Sequence, residues 1–158
     1  MEQFFSKLNF ITNGEGFINI TDDLNLFIQK RNFNSGILNV TSLHTSCSLT
    51  INENADPNVL KDLKKFMKSI VPNNCYVSLS KDREKIYYEH FQEGEDDMPA
   101  HIKTALTNTN LSLSFKGGEI ILGTWQAIYL WEHRFSPKER IISVHIIGEK
   151  SSNIYNGK

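Results

Sequence analysis

"LHTSCSLTINENADPNVLKDL", residues 43–63, passes from strand to helix within a few residues. "SCSLTIN" reads as an apolar strand. Asp56-Pro57 then opens a helix, with Asp as N-cap and Pro at the first helical position, where its missing N–H costs nothing. Leu60, Leu63, Met67 and Ile70 supply that helix with an apolar stripe. Between strand and helix stand Asn52, Glu53, Asn54 and Asp56, with His44 upstream. A turn needs one or two polar residues. So dense a group of ligand-type side chains implies that the strand ends in the wall of a polar cleft.

Working outward, "FFSKLNFIT" and "GFINI" alternate apolar and polar residues and read as two strands around the Asn13-Gly14 turn signal. Thr21 is placed to cap a helix that begins with Asp22 and Asp23 and carries Leu24, Phe27 and Ile28 on one face. "GILNVTSLH" pairs with "SCSLTIN". "CYVSL" and "KIYYEH" form a hairpin around "SKDRE". A third helix opens near Met98-Pro99, where Asp96 and Asp97 can cap it, and continues through Ile102, Ala105 and Leu106. The C-terminal third is β-rich: "NLSLSF", "EIILGTW", "QAIYLWEHRF" and "RIISVHIIGE". The order β-β-α-β-β-α-(hairpin)-α-β-β-β, with strands in pairs that short turns can join, predicts an antiparallel α+β domain with about three helices.

Composition sets the outer limits. The chain has 158 residues, 39% hydrophobic and 22% charged, with a net charge of −1. One globular domain over residues 1–149 and a flexible tail over 150–158 are expected. No basic excess points to nucleic acid or to an anionic membrane. Cys47 and Cys75 form no metal-binding spacing, and Cys47 reads as a small buried hydrophobe. "MEQFFSKLNF" lacks the plan of a signal peptide, and no run of about 18 apolar residues offers a membrane span. The expected location is the cytoplasm.

Polar ligands concentrate in three places. The first is His44 with Asn52, Glu53, Asn54 and Asp56. The second is "YEHFQEGEDDMPAHI", with His90, Glu93, Glu95, Asp96, Asp97 and His101. The third is "GTWQ" with "WEHR", holding Trp125, Gln126, Glu132, His133 and Arg134. In the first two, acids precede a Pro-initiated helix, where they either cap it or join imidazoles around a divalent cation. His90 and His101, eleven residues apart, form no compact zinc motif. His145 shares a strand face with Ile141, Ser143 and Ile147 and reads as packing, while His133 stays open between packing and a site role.

"HTSCSLTINENADPNV", "EHFQEGEDDMPAHIKTAL" and "GTWQAIYLWEHR" together resemble the motifs of the YjbQ family, associated with a secondary thiamine-phosphate synthase activity. The resemblance runs from about residue 5 to Glu149. It implies two β-sheets packed as a sandwich, a homotrimer, and convergence of the "HTS", "NEN-D", "H…H" and "GTWQ" residues on one cleft. Where the family has a D-G-P-R-like turn this chain has "EHRFSPKER", and residues 76–87 are longer than the usual link.

The function expected from the resemblance is a transferase that joins a hydroxymethylpyrimidine diphosphate to a thiazole phosphate and releases pyrophosphate. The alternatives are a metal-dependent hydrolase, or a non-catalytic trimer that binds a phosphorylated metabolite. His44, His90 and His101 are the expected catalytic groups. Asn52, Asn54, Trp125, Gln126 and Glu132 are expected to bind a phosphorylated small-molecule substrate. Asp56, Asp96 and Asp97 are expected to hold Mg²⁺, with Zn²⁺ the other candidate ion.

Overall fold

The computed structural model describes residues 1–151. Along these residues the elements are β1 (Glu2–Ile11), β2 (Gly16–Asn19), α1 (Thr21–Lys30), β3 (Phe33–Ser42), β4 (Cys47–Glu53), α2 (Pro57–Ile70), β5 (Cys75–Val77), β6 (Lys85–Tyr87), α3 (Asp97–Ala105), β7 (Asn110–Lys116), β8 (Glu119–Ile120), β9 (Gln126–Glu132) and β10 (Glu139–Lys150). The fold is α+β with antiparallel sheets, as expected. One sheet has the order β1-β10-β3-β7-β8, a second has β2-β9-β4, and β5-β6 is a separate hairpin. No helix among the described residues is long and apolar enough to cross a membrane. Lys150 still belongs to β10, and Ser151 N–H donates to the Asn32 carbonyl at 2.9 Å. Of the tail expected over 150–158, residues 152–158 lie outside the described residues.

Most neighbouring strands in sequence are not neighbours in a sheet. β1 pairs with β10, β2 with β9, and β4 with β9 rather than with β3. The Asn13-Gly14 signal therefore marks a corner between sheets, not a hairpin. Gly14 has φ +95°, and a Cβ there would stand 2.3 Å from the Phe135 carbonyl oxygen, so only glycine fits. Chain reversals at β1/β2, β3/β4 and β9/β10 all carry the chain from one sheet to the other. This is how the two sheets come to face each other across one core.

That core is built by period two. Ile142, Val144 and Ile146 of β10 and Leu38 and Val40 of β3 are fully buried, and they meet Leu49, Ile128 and Leu130 of the second sheet. Each such side chain contributes about 1.5–3 kcal/mol relative to exposure. Helix α1 closes the core with Leu24, Phe27 and Ile28. Its start differs from expectation: Thr21 lies inside the helix, and its hydroxyl accepts from Ile128 N–H at 2.9 Å, tying α1 to β9.

The second sheet is covered on both faces. Trp131 of β9 packs with Met67 and Val71 of α2, and Phe17 stacks on Trp131 at 4.5 Å. β9 is consequently buried from Ala127 to Glu132. The apolar run "AIYLW" is thus interior, and covers no interface. The uncovered face belongs to the five-stranded sheet, where Phe5, Ile11 and Ile37 are 62%, 67% and 46% exposed. His145 lies on that face, stacked on Phe5 at 3.9 Å.

Candidate functional site

Asp56 does what its position before Pro57 predicts. Its Oδ1 accepts from Asn58 N–H at 2.8 Å and caps α2. It meets none of the histidines and does not join the expected Mg²⁺ group. Asn52, Asn54, Trp125 and Gln126 gather beside it, because β4 ends at Glu53 opposite Gln126. Asn54 N–H donates to the Trp125 carbonyl, and Gly123 N–H donates to Gln126 Oε1. Asn52, Trp125 and Gln126 line a shallow depression of about 480 Å³ with Glu53 and Ala55.

The histidines stand at the other end of β4. His44 precedes the strand, and its Nε2 accepts from Ile141 N–H at 2.7 Å. Burial and the nearby Arg140 charge lower its pKa, against a smaller opposite pull from Glu132. On the next residue of the loop, the Thr45 carbonyl accepts from His101 Nδ1 at 2.9 Å. A carbonyl only accepts, so His101 carries a proton on Nδ1, and the neutral ring in this tautomer has its lone pair on Nε2. β4 spans Cys47–Glu53, so about 20 Å separates the histidine end from the amide end. The expected single cleft is therefore two separate places within one chain.

His101, His90 and Asp97 do converge. Asp97 and His101 are one helical turn apart on α3, which puts them on the same face. His101 Nε2 is 3.5 Å from Asp97 Oδ1. His90 Nε2 lies 2.9 Å from Asp97 Oδ2 but out of line for a hydrogen bond, and that buried oxygen accepts none among the described residues. The three ligand atoms all lie within 4.8 Å of one another. A buried carboxylate oxygen with no donor beside two imidazoles suits a cation better than it suits a hydrogen-bond network.

Arg134 organises this end. Its Nη1 donates to Asp97 Oδ1, its Nε to Asp96 Oδ2 at 3.1 Å, and its Nη2 to the Glu93 carbonyl at 2.8 Å. Asp96 also accepts from Phe135 N–H at 2.7 Å. Burial pushes the Asp96 carboxyl up, but the Phe135 amide and the Arg134 charge outweigh it and hold the group below the usual carboxylate range. Asp96 is thus spent on Arg134 and makes no side-chain cap to α3. Of the three acids expected to hold a metal, only Asp97 faces the histidines. Arg134 was named in the sequence without a role; two adjacent buried acids needing a countercharge were the signal for it.

Glu132 is corrected outright. It is fully buried and its two oxygens accept from Arg140 Nε at 2.6 Å and Nη2 at 2.5 Å, from Thr12 Oγ1 at 3.0 Å and from Arg134 N–H at 2.9 Å. No acceptor capacity is left for a substrate.

Residues 6–149 match the family model for UPF0047 protein YjbQ-like. A UPF0047 protein from Synechocystis is 41% identical over 87% of this chain and 87% of its own length. The UPF0047 protein YjbQ of Escherichia coli O157:H7 is 40% identical over 90% of this chain and 96% of its own. A conserved hypothetical protein from Thermus thermophilus superposes with TM-score 0.73 at 30% identity, covering 90% of this chain and 99% of that one. An uncharacterized conserved protein of the same family from Clostridium acetobutylicum gives 0.70 at 30% identity, covering 93% and 100%. These descriptions overturn the expected thiamine-phosphate synthase-like transfer, since each stops at the family and none carries that activity. The geometry agrees: the amides and the histidines assigned to that reaction stand at opposite ends of β4.

Proposed function

We propose, for a chain that belongs to the UPF0047 YjbQ-like family, that it is a metal-binding protein whose ion is held by His90, Asp97 and His101. The observation that carries this is Asp97 Oδ2, buried without a donor and faced by His90 Nε2. Two imidazoles and one carboxylate suit Zn²⁺ or a similar ion, whereas Mg²⁺ prefers oxygen donors throughout. Three protein ligands leave a coordination position for a ligand. A bound ion supplies Lewis-acid polarisation of a ligand oxygen. The chain's own groups do the rest. The Thr45 carbonyl fixes the His101 tautomer, and Arg134 anchors Asp97 through Oδ1, leaving Oδ2 on the His90 side. Glu89, Glu93 and Glu95 beside His90 favour the approach of a cation over that of a phosphate dianion.

Metal analysis of untagged protein tests this. One zinc per chain is expected. His90→Ala and His101→Ala should each cost more than the roughly 10–100-fold in affinity lost when a group hydrogen-bonded to a ligand, rather than the ligand itself, is removed. Asp56→Ala, at the other end of β4, should retain full affinity. A wild type that takes up no zinc, or histidine variants that hold it equally well, rejects the reading.

The homotrimer remains a proposal, and the open face of the five-stranded sheet supports self-association. Apolar side chains left uncovered on one sheet face usually mark an interface, and Phe5, Ile11 and Ile37 lie there. Light scattering should give a mass near three chains. Phe5→Asp with Ile37→Asp should lower it toward one chain while far-ultraviolet dichroism is kept. A monomeric wild type rejects the trimer.

A further inference from the structure

Beside the ion site, the β5–β6 hairpin arches over a second feature. Together with the C-terminal end of α2 and one face of α3 it encloses an open cavity of about 1200 Å³. Its walls are largely apolar and aromatic: Ile70 and Val71 from α2, Tyr76, Ile86 and Tyr88 from the hairpin, Met98 and Ile102 from α3. The cavity is larger than the roughly 300–1000 Å³ of ordinary ligand pockets.

Two observations link it to the ion site, and two more describe its roof. His90 belongs to both, being a cavity wall and a member of the donor cluster. Helix α3 presents Asp97 and His101 one turn apart, and Met98 and Ile102 one turn apart on the adjoining ridge, so the donor row and the apolar row run side by side. Tyr88 is held in place, its hydroxyl donating to the Pro72 carbonyl at 3.1 Å, and its ring lies 5.7 Å from that of Tyr76. The hairpin itself pairs only three residues on each strand and leaves Tyr76 40% and Ile86 37% exposed. Two-stranded hairpins with so little cover are marginal on their own. A ring inserted under it would remove that apolar surface from water.

We infer that this cavity receives the neutral aromatic body of a small molecule whose oxygen-bearing end meets the ion at His90, Asp97 and His101. The inference rests on the ion reading above and adds the substrate class. The body is uncharged because the cavity walls are largely apolar and aromatic, where an unpaired charge is costly, and Glu89 in the lining further opposes an anion. The head is an oxygen donor because that is what a cation held by two imidazoles and a carboxylate polarises.

The experiment uses the full chain loaded with zinc and desalted, titrated calorimetrically with two chelating probes, benzohydroxamate and acetohydroxamate. They share the metal-binding head and differ in the ring. Benzohydroxamate should bind at least tenfold more tightly. Tyr76→Ser with Ile86→Ser, an exposed cross-strand pair, should erase the difference while acetohydroxamate affinity and zinc content stay unchanged. Benzyl alcohol, which does not chelate, is titrated separately against metal-free protein by nuclear magnetic resonance, and should shift Tyr76, Tyr88 and Met98. Equal probe affinities with intact zinc binding overturn this inference and leave the ion reading standing. Failure to bind zinc overturns the ion reading and the head-group half of this one, and the benzyl alcohol shifts then decide the ring half. Hairpin resonances that change with protein concentration but not with benzyl alcohol mean that a second copy fills the groove, which also overturns it.

Discussion

Glu132→Ala is expected to cost about 3–5 kcal/mol in urea unfolding, the range for breaking a buried ion pair from one side. Glu132 is fully buried and Arg140 is 4% exposed. Removing the carboxylate leaves a guanidinium in the interior with two donors unpaired. It also strands the Arg134 N–H and takes one acceptor from the Thr12 hydroxyl. Against a total stability of about 5–15 kcal/mol, that loss leaves a barely folded protein. Glu132→Leu combined with Arg140→Met should recover most of it, because replacing both partners by apolar groups removes the stranded charge. A single variant within about 1 kcal/mol of wild type would show that the pair is solvated in solution. Glu132 then returns to candidacy as a ligand group.

Sequence made much of this molecule legible, and the limits have physical causes. Asp56-Pro57 was readable because a cap and a fixed φ act within three residues, and the structure places both as read. The same logic failed at Asp96, since its partner Arg134 arrives from 38 residues away. Alternation marked β1 and β2 as strands, whereas on β10 the face read as packing (Ile141, Ser143, His145, Ile147) is the one opposite the core, which takes Ile142, Val144 and Ile146. Period two shows that a strand is there. It carried no information on which sheet a strand joins, because a hairpin and a sheet-to-sheet corner impose the same period of two. Hence Asn13-Gly14 read as a hairpin turn, although Gly14 is needed for its approach to the Phe135 carbonyl.

The candidate site divides in the same way. His90, Asp97 and His101 were each nominated from one acid-rich segment, and only Asp97 and His101 are linked by local helical spacing. What brings them to a common point is tertiary: Arg134 turns Asp97, and the Thr45 loop turns His101. The amides were nominated with them because both groups border β4 in sequence. A strand, however, separates residues by about 3.3 Å at each step, so its two ends make two places.

The stability of this protein should fall steeply as the pH drops from about 6.5 toward 4, and His133 should be the chief cause. Its ring is 1% exposed, with Nε2 at 2.9 Å from Ser48 Oγ and Nδ1 without a partner among the described residues. Burial first, then the Lys103 and Arg140 charges, push its pKa down to about 3. In the unfolded chain the ring titrates near 6.5. Above that value both states are neutral and the group contributes nothing to the pH dependence. As the pH falls, the unfolded state takes the proton and the folded state refuses it, so stability is lost down to about 3, on the order of 5 kcal/mol in the limit. His44, also held below its usual value, adds to the same window, whereas Asp96 acts only below the ordinary carboxylate range. His133→Gln keeps a side chain able to bond Ser48 and cannot take the proton. Urea unfolding with chelator present, at half-unit steps from about pH 7 to 4, should show a markedly flatter profile for this variant. A slope equal to that of wild type would mean that His133 protonates in the folded state with a partner the buried ring does not have.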